Sequence, residues 1–127
     1  MRPAAVPPFR TLDPALATAE RLLAGPPLSD VVDALPDEHA AAARLNALLA
    51  AVGVAPRLRA SAEGWRAVYV DATGEEGELA AAAAALVALV AVAGWSRLKR
   101  CETCDTPFLD RTNGRSRRWC SPHRPRS

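Results

Sequence analysis

Cys101, Cys104, Cys120 and His123 follow one another as C-x2-C-x15-C-x2-H, and these three are the only cysteines in the 127 residues. No other feature limits the chain so tightly. A C-x2-C pair turns two thiolates toward one point, and a second ligand pair at the end of a loop can complete the tetrahedron that zinc requires. An odd number of cysteines, all within the last 27 residues, is not the even, distributed set of a secreted disulfide scaffold. A redox C-x2-C would sit beside a βαβ pattern, and none surrounds this one. With protein in all four positions the site is closed and structural rather than catalytic. His123 is the fourth ligand by proximity; water or a partner in that place stays open.

The residues between the ligands suit a metal-held hairpin. Pro107-Phe108-Leu109 is a short apolar strand, Asn113-Gly114 is a turn signal, and Arg117-Arg118-Trp119 leads back into Cys120. Phe108 and Trp119 are the whole hydrophobic core of such a module. A core that small cannot hold it folded, so the metal must contribute on the order of 10 kcal/mol. Strand alternation sets Arg117 and Trp119 on one face and Arg118 on the other, so one arginine faces a ligand and the other braces the fold.

The run from Cys101 to Cys120 resembles the CGNR-type zinc finger: Cys-x2-Cys, then Phe108-Leu109-Asp110-Arg111, Asn113-Gly114, and Ser116-Arg117-Arg118-Trp119-Cys120. That finger ends bacterial proteins carrying the so-called ABATE domain, described as stress-induced transcription regulators. The resemblance implies a zinc-binding, DNA-binding, intracellular protein. Leu45-Asn46 followed by Leu48 on a helix, a hairpin, an alanine-rich helix and then the finger is the order expected of an ABATE body. Two departures stand out. The position of the family's fourth cysteine, shortly after the third, is Pro125 here, with no Gly-Asn-Arg after it. The family's Asp-Phe-Val-Asn-Thr-like segment is not recognisable near residue 10.

Ahead of the finger the pattern is mainly helical. Residues 1–12 are proline-rich and read as extended. Asp13-Pro14 starts a helix with Leu16, Ala19, Leu22 and Leu23 on one face, and Gly25-Pro26-Pro27 ends it. Ser29 or Asp30 caps a short turn through Val31, Val32 and Leu35. Pro36-Asp37 starts a longer helix with Ala41, Leu45, Leu48 and Leu49, which Gly53 ends. Pro56–Ala60 and Trp65–Val70 read as a hairpin. Trp65, Tyr69 and Trp95 read as core residues rather than as the lining of a pocket. Glu75, Glu76 and Glu78 suit the positive end of the next helix, Leu79–Ala93, which is apolar nearly all round and therefore expected to be the most buried element. The uncharged run Leu79–Ser96 is at the short edge of what could span a bilayer and reads as a buried helix rather than a span. The expected fold class is α+β: a mainly helical body over 1–96 with one β-hairpin at 56–71, plus a small zinc-bound hairpin module at 97–127.

Charge separates the same two parts. The whole chain carries +2, but Arg97–Ser127 has nine basic and three acidic residues, a net +6, which leaves −4 on residues 1–96. A basic end on an acidic body points to an anionic partner, most commonly nucleic acid. Arg111, Arg115, Arg117, Arg118, Arg124 and Arg126 are the candidate contacts, with double-stranded DNA the expected partner. The alternative is a zinc-stabilised protein–protein adaptor without nucleic-acid binding. Homo-oligomerisation stays open. His39 reads as a surface histidine, the serines lack a nucleophile-elbow context, and no phosphate-binding loop occurs, so no enzyme is expected. With no apolar run of signal-peptide length at the start, the expected location is cytoplasmic.

Overall fold

The computed structural model describes residues 13–112 and 114–120. In chain order these form α1 (Asp13–Leu22), α2 (Leu28–Asp33), α3 (Glu38–Val52), β1 (Ala55–Ser61), β2 (Gly64–Val70), α4 (Glu78–Ala93), β3 (Leu98–Arg100) and β4 (Pro107–Leu109). The fold is α+β, as the patterning predicts. The proline-rich residues 1–12 lie outside the described residues.

Helix boundaries follow the local chemistry. The Asp37 side chain caps α3 by accepting from the Ala40 N–H at 3.0 Å, and Gly53 ends it in the left-handed region at φ 74°. Added bulk at Gly53 would also collide with Ala72, whose Cβ lies 2.8 Å from a Cβ built there. The expected turn after Pro27 is a full short helix, α2, without a side-chain cap. It forms because Leu28, Val31 and Val32 all bury themselves in the core.

One apolar cluster joins the helices. Leu16, Ala19 and Leu23 of the first helical segment pack with Leu28, Val31 and Val32, with Ala41 and Leu45 of α3, and with Ala82, Ala83, Ala85, Leu86 and Leu89 of α4. Alanine on α4 lets its neighbours approach closely, where larger side chains would hold them apart. Burial of α4 is nevertheless one-sided. Val87 is 40% exposed and Val92 59%, against the expectation of a helix enclosed on every face. α4 packs on α1, α3 and β2, and those three elements do not surround it.

Leu98 of β3 and Leu109 of β4 belong to this same cluster. The sequence boundary at 96/97 is therefore not a gap in packing: the C-terminal module sets two leucines into the core of the helical body. β1 and β2 pair antiparallel as a separate two-stranded sheet, Ala55 opposite Val70 through Ser61 opposite Gly64.

Candidate metal centre and its basic surroundings

β3 pairs with β4 antiparallel, Leu98 opposite Leu109 and Arg100 opposite Pro107. The strand expected over Pro107–Leu109 is present, but its partner precedes it. The expected pairing with Arg117–Cys120 is not what forms, because the C-x2-C turn itself closes the hairpin and the segment before Cys120 runs without strand structure. In that turn the Cys101 N–H donates to the Thr106 carbonyl at 2.9 Å and the Asp105 N–H to the Cys101 carbonyl at 2.8 Å. Asp105 takes φ 63°, a left-handed conformation that aspartate tolerates better than most residues. The Thr103 N–H lies 3.4 Å from Cys101 Sγ. Glu102 donates its N–H to the Arg118 carbonyl at 2.9 Å, which ties the segment leading to Cys120 against the turn.

This arrangement gathers the sulfurs of Cys101, Cys104 and Cys120 within 4.8 Å of one another, with Cys104 and Cys120 3.5 Å apart. A tetrahedral ion with metal–sulfur bonds of about 2.3 Å sets its sulfurs roughly 3.8 Å apart, so the cluster fits one thiophilic metal ion after small adjustments. Burial pushes the Cys101 thiol up, but hydrogen bonds from the backbone of Cys104, Cys120 and Thr103 outweigh it and bring the thiol down to about 6. The backbone thus favours the thiolate, the form that binds metal. Phe108 packs beside Cys101 and Cys120 with Trp119 against them, the small cluster expected of these two aromatics. His123, the candidate fourth ligand, lies outside the described residues.

Residues 97–124 match the CGNR zinc finger family. The match takes in all three cysteines and under a quarter of the chain. No curated protein matches the chain.

The CGNR finger is held by an internal polar network that charge counting does not reveal. Asp110 is fully buried. Its carboxylate accepts from Lys99 Nζ at 2.7 Å, from the Thr112 N–H at 2.9 Å and hydroxyl at 2.5 Å, and from the Arg117 N–H at 3.1 Å. Lys99 donates further to the carbonyls of Arg115 and Arg117. Arg97 donates to the carbonyls of Asp110 and Thr112 at 3.0 and 2.6 Å. The only lysine of the chain and one of its arginines therefore fasten the loop between β4 and Cys120.

Arg117, expected among the residues that meet an anionic partner, faces inward instead. Its side chain is 7% exposed. The guanidinium lies over the Phe108 ring at 4.7 Å, Nε donates to the Trp119 carbonyl at 2.7 Å, and a terminal nitrogen reaches Glu20 Oε2 of α1 at 2.7 Å. Placed so, it braces the finger against the body and offers no face to a phosphate. Arg118 is exposed and Arg111 half-buried. Arg111 Nε lies 3.7 Å from Glu20, and Arg118 lies 3.8 Å from Glu102 with its guanidinium over Trp119. Arg115 is exposed, at φ 53°, and reaches the Ala93 carbonyl at the end of α4. Arg124 and Arg126, like Asn113 of the expected turn, lie outside the described residues. Arg100 pairs with Asp33 of α2 and with Asp105. Sequence reasoning missed Glu20, Lys99 and Asp110; one acid buried in a basic stretch was the available signal for the last.

No described helix is long and apolar enough to cross a membrane.

Proposed function

We propose that this protein binds zinc through Cys101, Cys104, Cys120 and His123 and uses the folded finger to contact double-stranded DNA as a bacterial transcription regulator, with an ABATE-like body carrying the finger. The donor set supports zinc: three thiolates and one imidazole are soft or borderline ligands, and a site closed by protein suits a structural ion. The observation that carries the nucleic-acid reading is a set of loosely held arginines in the segment that leads to Cys120. Arg111, Arg115 and Arg118 keep contacts of 3.5 to 3.8 Å to their partners, long enough to be exchanged for phosphate oxygens at little cost. Arg124 and Arg126 follow in the sequence and add two positive charges to the segment.

A DNA titration tests the reading. Zinc-loaded protein should bind duplex DNA at ~50 mM salt with a steep log–log salt dependence. Arg115→Ala with Arg118→Ala should weaken binding and reduce the salt slope by about 0.9 for each phosphate no longer neutralised, while zinc content stays at one per chain. A folded, zinc-loaded protein that binds neither duplex nor single-stranded nucleic acid at that salt would overturn the reading in favour of a protein–protein adaptor.

A further inference from the structure

The three sulfurs of the metal centre are not equally shielded. Cys101 and Cys120 are buried, at 3% and 8% exposure, whereas Cys104 is exposed. Cys101 follows β3 directly and packs beside Phe108, while Cys104 stands within residues 102–105, all of them exposed. A cavity of about 560 Å³ borders Cys104 and Cys120 together with Glu20, Thr106, Phe108 and Arg117. A small solute that reaches Cys104 there finds Cys120 next to it, since the two sulfurs are 3.5 Å apart. They come from opposite ends of the loop, yet to form a disulfide bond they need close only about 1.5 Å, a movement two side chains can share. The form of cysteine that binds metal is the thiolate, which is also the nucleophile toward oxidants, and susceptibility follows exposure and a nearby resolving thiol. Cys104 meets both conditions.

We propose that Cys104 is a peroxide-reactive site and Cys120 its resolving partner, so that a hydroperoxide closes a Cys104–Cys120 disulfide and dismantles the metal centre. Loss of the metal rests on the zinc reading above; the disulfide rests on the two sulfurs alone. In the first step the Cys104 thiolate attacks an oxygen of the hydroperoxide. A sulfur–oxygen bond forms, the oxygen–oxygen bond breaks, and the departing oxygen takes a proton and leaves as an alcohol, or as water from hydrogen peroxide. The sulfur is oxidised to a sulfenic acid by two electrons, and the peroxide is reduced by the same two. In the second step the Cys120 thiolate attacks that sulfur. The sulfur–sulfur bond forms, the sulfur–oxygen bond breaks, and the hydroxide takes a proton to become water. Two thiolates, one hydroperoxide and two protons thus give one disulfide, one alcohol and one water. Cys101 and His123 are then half of the donors that a tetrahedral site needs, too few to hold the ion.

Peptide mapping of the full chain tests it. The protein is treated with hydrogen peroxide, blocked with an alkylating agent and digested with trypsin, which cuts after Arg100, Arg111 and Arg118. A Cys104–Cys120 disulfide then links two peptides and leaves Cys101 alkylated, whereas a Cys101–Cys104 disulfide stays within one peptide. Brief exposure with a sulfenic-acid trap should label Cys104. The linked product should grow in step with release of about one zinc per chain to a chromogenic indicator, and reduction in the presence of zinc should reverse both. The inference is overturned if the disulfide joins Cys101 to either of the others, if the trap finds Cys101 or Cys120 first, if the Cys104–Cys120 bond forms with zinc retained, or if all three cysteines are recovered alkylated. Zinc counted before oxidation separates the two readings: a chain without zinc fails the zinc assignment, while the peptide map still decides the disulfide.

Discussion

Removing the metal should destabilise the helical body as well as the finger. If the finger opens, Leu98 and Leu109 leave a cluster in which they are 5% and 0% exposed. Each such leucine contributes roughly 1.5–3 kcal/mol of burial free energy, about 3–6 kcal/mol together. The Arg117–Glu20 link adds about 1 kcal/mol at most. Domains of this size are stable by about 5–15 kcal/mol, so the loss is a substantial share of the total. In a thermal melt followed by far-UV circular dichroism, the helical transition should fall by on the order of 15 °C when a chelator strips the ion. Cys104→Ser should behave the same way without chelator. A melting temperature within ~2 °C of the parent, with metal loss verified by elemental analysis, would refute the reasoning and make the finger an independent appendage.

Leu89, 2% exposed in α4, should cost about 2–5 kcal/mol when changed to Ala; urea unfolding checks this, and a loss under about 1 kcal/mol would place the helix at a yielding surface. Asp110→Ala strands the Lys99 ammonium and two backbone N–H groups, so it should cost about 3 kcal/mol at neutral pH; a loss under about 1 kcal/mol would mean that water takes the place of the carboxylate. Burial pushes the Asp110 carboxyl up, but bonds from Lys99 and Thr112 outweigh it and hold it below the ordinary 3.8. Its stabilisation is therefore present above that value and disappears as pH falls through the lower folded value. Denaturation curves of Asp110→Asn should lack that part of the acid slope; parallel pH profiles for parent and variant would contradict the assignment.

The order of elements was legible because each boundary is marked by local chemistry. Asp37 three residues before the N–H it accepts from, Gly53 at a left-handed position and the alternation of Leu58 and Ala60 with Arg57 and Arg59 are signals read within a few residues. The metal cluster was legible for a similar reason: the C-x2-C turn brings two thiols together wherever it occurs, and the family match covers all three cysteines. Strand pairing in the finger was not legible. Pro107–Leu109 can pair with the strand before it or after it, and Leu98 decides the matter by entering the body's core, a contact across the whole chain that no local window contains.

The β1–β2 hairpin and the arginines fail for a shared reason, which bears on how the finger is read. Period-2 alternation says that two faces differ and leaves open which one meets the body; Val68 and Val70, at the inner end of β2, are the residues that do, and Trp65 stays outside on the other face while Arg57, Arg59 and Arg66 remain exposed. Net charge likewise counts side chains without saying where they point. Of the basic residues in the finger segment, Arg97 and Arg117 are buried and Lys99 is bound to Asp110, so these three hold carbonyls and carboxylates of the protein itself. Of the other described ones Arg100 is paired with Asp33 and Asp105, and Arg111, Arg115 and Arg118 are left with longer contacts, a smaller positive field than the sequence total implies. A phosphate contact must therefore rest on those three and on the arginines after Cys120. Arg117→Ala, by contrast, should loosen the finger from α1 and lower stability without changing the salt slope of any binding that survives, and an altered slope with unchanged stability would show that the guanidinium leaves Glu20 to meet the ligand.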